Sequence, residues 1–514
     1  VSDIVLTTFN ARYAHAAFGL RYLMANLGPL RSRAAILEFE ISHRSVDALE
    51  VILSHEPVIV GIGVYIWNVT LATQLVAELK RVRPDVVVVV GGPEVSHESD
   101  QQEICRLADY VLTGEADLAF ASLCGKILAG KKPLMKVVPA ELPEFASGGG
   151  KDFVRLPYDF YTDVDLKQRV VYVEASRGCP FKCEFCLSSL DVPVRNVPLD
   201  EFLSAMDRLL SRGLLQFKFV DRTFNLNLAI SKAILQFFLD RLRPGLFLHF
   251  EMIPDRLPEA LRELIARFPA GVLQFEVGIQ TFNNDVARLI SRRQDYDRLA
   301  DNLNFLRRET GVHVHADLII GLPGEDVASF AAGFDRLIAM RPQEIQIGML
   351  KRLRGTPIVR HDSEWAMVYS PSPPYEILQT KLIDFATMQQ LRRFSRYWDT
   401  IANSGNFVAS TPLVWGTGSP FEWFFRLSGW LFDKAGRSHA ISLHRLMELM
   451  LEFLTVERGI EAPVAAEAIW QDYQRGGRSD RPGFLAAHVP TADTRVIRNK
   501  NAPTRQARFL AGQT

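Results

Sequence analysis

Strand-sized apolar runs alternate with helix-sized amphipathic runs twice along this chain, and that rhythm narrows its fold more than any other feature. In the first series, strand patterns lie at 4–8, 34–41, 58–65, 86–91 and 110–113, with helical patterns at 16–28, 45–55, 69–83, 99–107 and 117–128. Parallel strands need long crossovers, and each crossover helix must bury its apolar stripe on the sheet. Five such strands fit a flavodoxin-like doubly wound sheet, whose ligands lie beyond the carboxyl ends of the strands. The second series places strands at 169–174, 216–220, 246–251, 272–277, 312–320 and 344–349, again separated by helical patterns. Six units favour a partial (β/α) barrel over a second open sheet, although periodicity alone leaves both open.

Between the series, residues 131–168 lose the rhythm. Pro133, Pro139, Pro143, Gly148, Gly149, Gly150 and Pro157 mark a linker. After Pro357 the pattern turns to aromatic-bearing helices at 375–400, 421–434 and 442–458, and a polar, basic tail follows from 491. The expected division is therefore 1–130, 131–168, 169–356, 357–490 and 491–514, consistent with about three folded domains for 514 residues. Hydrophobic residues at 48% and charged residues at 23% exclude wholesale disorder and fibrous repeats. Lys plus Arg and Asp plus Glu both number 59, which gives no support to a nucleic-acid partner. No apolar run approaches the roughly 18–20 residues of a membrane helix, and no basic-then-apolar leader opens the sequence. A cytoplasmic protein with no membrane partner is expected.

Five cysteines are too few for a disulfide framework, but Cys179, Cys183 and Cys186 fall within eight residues. Their Cys-x3-Cys-x2-Cys spacing follows directly on an apolar strand. Thiolates are soft ligands suited to zinc or iron–sulfur clusters. Structural zinc takes four protein ligands, and the next His after the triplet is His249, with no Cys beyond Cys186. A 4Fe–4S cluster on three thiolates leaves one iron free for a small molecule. The alternatives are three buried structural cysteines, or zinc with a distant fourth ligand.

With these residues the chain resembles the radical S-adenosylmethionine (SAM) superfamily. The resemblance implies a 4Fe–4S cluster on Cys179, Cys183 and Cys186. It also implies SAM chelated to the open iron and cleaved reductively to a deoxyadenosyl radical. Phe185 matches the aromatic that packs on the adenine. Asp221 and Asn225, at a strand end, would meet the amino group or ribose of SAM. Glu276 and Gln280, in Glu276-Val277-Gly278-Ile279-Gln280-Thr281, resemble the strand near the ribose and substrate. Asp317, Gly321 and Pro323, in the stretch 317–325, resemble the strand and loop beside the adenine.

Upstream, Gly91-Gly92-Pro93 and Gly114-Glu115 end two apolar strands. Beside a radical SAM core they resemble the loops of a cobalamin-binding domain around the cofactor's nucleotide tail. Many such domains carry Asp-x-His-x-x-Gly after the first strand. Here His15 is present, but Tyr13 replaces the Asp and Phe18 the Gly. The carboxylate that would orient the imidazole is missing. His15 is left as a cobalt ligand, a corrin-edge contact or the start of a helix. Tyr65 and Trp67 are placed to face the corrin or to pack a core. A nicotinamide-type fold is discounted, because no Gly-x-Gly-x-x-Gly follows the first strand.

The last third resembles a helical extension of unknown function found on some cobalamin-dependent radical SAM proteins, carried by Pro373-Pro374-Tyr375-Glu376 and by 393–398. The aromatic run 415–430 is expected to pack helices, and Arg392, Arg393 and Arg396 to form a solvated face. The whole resemblance implies cobalamin-dependent radical chemistry, with methylation of an unactivated carbon of a small molecule or peptide as the first expectation. Rearrangement, cyclisation or oxidation comes second. A flavodoxin or ferredoxin would supply electrons. A non-enzymatic cobalamin or iron–sulfur sensor is the rival from another class, and tRNA methylthiolation a third reading.

Overall fold

A computed structural model describes residues 2–11, 15–145, 153–190, 193–478, 480–489 and 504–510. The chain divides into two units. One comprises 1–222 with 351–357 and 370–375; the other comprises 223–350, 358–369 and 376–514.

The first unit opens with strands β1 (Ile4–Asn10), β2 (Ala34–Glu40), β3 (Ile59–Gly63), β4 (Val87–Gly91), β5 (Tyr110–Thr113) and β6 (Val137–Pro139). They form one sheet in the order β2-β1-β3-β4-β5-β6, parallel throughout. The first five are the doubly wound order expected. The sixth strand was not anticipated. Its Val137-Val138-Pro139 sits in the proline-rich stretch, at the sheet edge where the missing amide of proline is tolerated.

Helices α1 (Phe18–Asn26), α2 (Ser45–Leu53), α3 (Val69–Val82), α4 (Glu103–Leu107) and α5 (Ala119–Leu128) supply the crossovers. Side-chain alternation along the strands builds two cores. Val60, Ile62, Val88 and Val90 pack with Ile52, Leu75 and Leu79 on one face. Ile59, Val87, Val89 and Leu112 pack with Leu20, Met24, Phe120 and Leu123 on the other.

Later in this unit, β7 (Val171–Val173), β8 (Ser176–Arg177), β9 (Arg195–Asn196) and β10 (Gln216–Phe219) follow. The β7 and β10 strands are parallel, and β8 and β9 form an antiparallel pair around the cysteine loop.

The second unit holds β11 (Phe247–Met252), β12 (Leu273–Gln280), β13 (His313–Ile320) and β14 (Glu344–Met349), a parallel ladder in sequence order. Its extension departs from expectation, since helices at Thr411–Trp415 and Ala462–Arg475 were not anticipated and the first expected helix is shorter. Helix is predicted from 375, but it begins only at Phe385, where Asp384 caps the Thr387 amide at 2.8 Å. Before it, Tyr375 takes φ +54°, and β15 (Val368–Tyr369) pairs antiparallel with β16 (Ile377–Gln379). Ile377 donates its amide to Leu350 O at 2.8 Å, so this backbone continues a sheet interaction rather than a helix.

The aromatic run packs helices as expected. Trp398 lies 4.8 Å from both Phe334 and Phe424, and Phe394 lies 5.1 Å from Phe421. Arg392 pairs with Glu376, and Arg393 lies over the Phe432 ring at 3.8 Å. Within the expected tail, Thr504–Leu510 is helical, and Arg505 reaches Glu344 at 3.0 Å. No helix among the described residues is long and apolar enough to cross a membrane.

Candidate functional site

The cysteines stand on the loop leaving β8. Gly178 turns the chain at φ +90°, a backbone state that a Cβ strains. Cys179 and Cys183 are buried and Cys186 is partly exposed. The Cys186 amide donates to Cys183 O at 3.1 Å, which folds the loop back on itself. Burial pushes the Cys179 thiol up, and nearby Cys186 and Cys183 push it further, so the sulfurs share one neighbourhood. Among the described residues no three His, Cys, Asp or Glu side chains are drawn together as a metal site. Three soft thiols on one glycine-turned loop nonetheless form a donor set that fits a 4Fe–4S cluster. Phe185 sits partly exposed beside Cys186. Cys105 and Cys124 are buried elsewhere, their thiols pushed up to about 11 and about 12 by burial.

Asp221, just after β10, is buried with its carboxylate turned onto the start of this loop. It accepts from Ala175 N at 3.0 Å and from Ser176 Oγ at 2.6 Å. Burial raises its pKa to about 7 despite those hydrogen bonds.

In the same unit a cavity of about 220 Å³ opens at the carboxyl ends of β3, β4 and β5, walled by Gly91, Gly92, Gly114, Phe120, Tyr65 and Arg177 among others. Gly92 has φ +110°, and a Cβ there would stand 2.6 Å from Val64 O. Pro93 and Glu115 follow these glycines in the two turns. Glycine walls let a flat ring lie against backbone, so the cavity fits the nucleotide base of a cobalamin. Glu115 itself is engaged by protein: Arg177 Nη1 reaches its Oε2 at 2.9 Å, and Arg195 Nη1 reaches the same oxygen at 3.1 Å.

His15 forms an isolated parallel bridge with Val170, and Ala16 N donates to Val170 O at 3.2 Å. Its ring lies 5.4 Å from Tyr172 and 6.2 Å from Trp67. Trp67 stacks on Tyr65 at 4.5 Å and donates to Phe9 O at 3.2 Å. Tyr13 lies outside the described residues, as do Gly148, Gly149, Gly150 and most of the tail from 491.

The second unit holds the other predicted residues. Asn225 accepts from Ile253 N at 2.7 Å and donates to Ile253 O at 3.0 Å, so its amide braces the loop after β11. Glu276 lies 3.2 Å from His249 Nε2. Beyond it the β12–β13 register shifts between Gly278 and Gln280, and Gln280 takes φ +74°. Left-handed backbone at a non-glycine and a bulge both occur preferentially at functional sites. Arg292 donates to Gly278 O, and Gln294 Nε2 to Ile279 O at 2.8 Å; these bonds hold the bulge.

Asp317 is raised well above the usual carboxylate range, by burial first and then by Glu276 and Glu251. Glu325 is raised to about 7 by burial, while Thr281 Oγ1 donates to it at 2.6 Å. Gly321 has φ +88°; its missing Cβ would stand 2.7 Å from Ile377 Cγ2. Pro323 is buried in the same turn. The structure thus gathers Glu276 and Asp317 with Glu251, and separately carries Cys179, Cys183 and Cys186 on one loop whose start is held by Asp221.

Sequence reasoning gave no role to Arg177, which bonds Glu174 at 2.7 Å and Asp117 at 2.9 Å. The available signal was a charged pair, Glu174 and Arg177, at the end of an apolar strand.

Three family models match the chain. They are the B12 binding domain at residues 4–124, the radical SAM superfamily at 173–337, and a protein of unknown function (DUF4080) at 363–508. A tRNA-2-methylthio-N(6)-dimethylallyladenosine synthase of Acinetobacter baumannii is 23% identical over 280 residues, 49% of this chain and 54% of that protein. An uncharacterized methyltransferase of Pyrococcus horikoshii is 24% identical over 303 residues, 54% of this chain and 63% of that protein. The match therefore spans less than two thirds of either relative.

Among solved structures, the radical SAM methyltransferase TsrM from Kitasatospora setae, with cobalamin and a [4Fe-4S] cluster bound, aligns with TM-score 0.57 at 18% identity. That alignment covers 72% of this chain and 80% of TsrM. OxsB, a cobalamin-dependent SAM radical enzyme with aqua-cobalamin and SAM bound, aligns with TM-score 0.61 at 12% identity, over 92% and 84%. At these identities the likeness is one of fold. The chain thus carries a B12-binding domain at residues 4–124 followed by a radical SAM domain at residues 173–337, and the cofactors of those domains are cobalamin and a 4Fe–4S cluster with SAM.

Proposed function

We propose that this chain methylates an unactivated carbon of a small molecule or peptide, drawing electrons from a flavodoxin- or ferredoxin-type donor. The observation that carries the reading is one chain holding both a three-thiol loop and a glycine-walled cavity within a single unit. The methyltransferase names of TsrM and of the Pyrococcus relative support it. When bound, the cluster, SAM and cobalamin supply the electron, the radical and the methyl carrier. The chain's residues place and shield them. Gly178 and Asp221 fix the entry to the cysteine loop, and Gly91, Gly92 and Gly114 keep the cavity wall free of side chains. In the second unit, burial and the neighbouring Glu276 and Glu251 raise Asp317 well above the usual carboxylate range.

The test is anaerobic turnover with SAM carrying an isotopically labelled methyl group, using a small-molecule and peptide extract as substrate source. Label in a product, with deoxyadenosine formed, is the expected result. Deoxyadenosine without label in any product replaces methylation by a cobalamin-assisted rearrangement, cyclisation or oxidation. Absence of reductive SAM cleavage by the reconstituted protein turns the reading to a sensor.

A further inference from the structure

Arg177 belongs to two places at once. Its backbone ends β8, two residues before Cys179, while its side chain is part of the cavity wall. All three guanidinium nitrogens are engaged. Nε donates to Glu174 Oε1 at 2.7 Å, Nη1 to Glu115 Oε2 and Asp117 Oδ2, both at 2.9 Å, and Nη2 to Asp117 Oδ1 at 3.1 Å. The guanidinium also lies over the Tyr22 ring at 4.3 Å. Tyr22 and Asp117 are wall residues too. Across the β8–β9 pair, Arg195 stands opposite Arg177 and binds the same Glu115. Both strands that frame the cysteine loop are therefore tied to the turn after β5, which borders the cavity.

Solvent that enters an open cavity screens the ion pairs on its wall, and a ring that fills the cavity excludes solvent and strengthens each pair, because charges interact more strongly in a low-dielectric surround. Arg177, and with it β8, is then held in one arrangement. In the other direction, a cysteine loop fixed by its cluster fixes Arg177 and preshapes the wall. Linkage makes the two effects equal in size.

We propose that Arg177 couples the two cofactor sites, so that cobalamin in the cavity tightens the cysteine loop and a loaded cluster tightens cobalamin binding. The proposal rests on the cofactor assignment above and adds a regulation that the assignment does not require.

The test is a pair of affinities on the full chain. Hydroxocobalamin is titrated, by absorbance, into metal-free protein and into anaerobically reconstituted protein. The expected result is binding at least about fivefold tighter in the reconstituted protein, the lower end of usual coupling. In metal-free protein, hydroxocobalamin should also slow amide exchange over residues 176–190. Arg177→Lys keeps the charge but loses the planar fork, and Arg177→Gln loses both; each is expected to bring the affinity ratio close to one. Asp117→Asn leaves Arg177 in place and is expected to lower the ratio partway, which keeps the test decisive if the Arg177 variants fail to fold. A ratio of one in the wild type overturns the coupling, as does an undiminished ratio in the folded variants. Absence of hydroxocobalamin binding in both wild-type forms overturns the cofactor assignment and the coupling together, an outcome distinct from a ratio of one.

Discussion

Tyr375 donates its phenolic proton to Glu94 Oε1 at 2.7 Å, joining two residues 281 positions apart. Arg354 Nε reaches the same oxygen at 3.0 Å, and Arg354 Nη2 reaches the Tyr375 hydroxyl at 3.1 Å. The loop after β4 is thereby bound to two distant segments of its own unit. Glu98 adds to the clamp by accepting from Arg352 at 3.2 Å and Arg354 at 3.1 Å.

Hydrogen bonds to charged groups contribute about 1.5–3 kcal/mol each when buried. Tyr375→Phe is expected to lower unfolding free energy by about 2 kcal/mol in urea titrations followed by circular dichroism. Glu94→Ala should cost more, because it also removes one of the two ion pairs of Arg354. A Tyr375→Phe protein as stable as wild type would show that the phenol contributes only packing.

Glu38 sits among Arg21 at 2.8 Å and Arg169 at 2.7 Å, with its side chain 6% exposed. Burial alone would raise its pKa, but the hydrogen bond and charge of Arg21 hold it at about 2, against 4.5 when unperturbed. At 1.36 kcal/mol per pKa unit this is about 3 kcal/mol of stability. Because the folded value lies below the unfolded one, the contribution is complete above pH 4.5 and disappears as pH falls toward 2. Glu38→Gln should be less stable at pH 7 and lose less stability on acidification, measured by denaturant midpoints across that window.

Asp221 runs the other way. Its folded pKa is raised to about 7 from 3.8, so its contribution is complete below pH 3.8 and is lost as pH rises through 7. Asp221→Asn should flatten the decline in stability between pH 4 and 7. A wild-type profile that stays flat over that interval would contradict a protonated Asp221.

Gly91 and Gly92 are adjacent but unequal. A Cβ at Gly91 meets Leu112 O at an ordinary 3.5 Å, whereas one at Gly92 meets Val64 O at 2.6 Å with φ at +110°. Gly92→Ala is expected to destabilise by about 1–3 kcal/mol, the usual scale of enforced backbone strain. Gly91→Ala should be close to neutral in the same thermal melts.

Cys179→Ala, Cys183→Ala and Cys186→Ala should each reduce iron and acid-labile sulfide after anaerobic reconstitution, and each should reduce SAM cleavage to background. Full iron content in any one of the three would remove that residue from the ligand set.

The strand–helix rhythm of both series was legible because parallel strands are buried on both faces and read as apolar runs. The triplet was legible because its ligands are local. Long-range partners were not. Arg21 pairs with Asp165 at a separation of 144 positions, and no spacing rule reaches that far. Glu115 read as a cofactor-loop residue, and its two arginine partners come from β8 and β9, strands too short to leave a periodic signal. The helical pattern from 375 failed because the positive φ at Tyr375 and the sheet-type bond of Ile377 override local propensity.

The seat of Ile377 at Gly321 also sets a rule for transplantation. A chimera that grafts the segment from β16 onward onto another core will collide wherever the recipient loop carries a methyl group at the position of Gly321. The turn at Gly321 and the segment from β16 must therefore be exchanged as one cassette, cut upstream of residue 321.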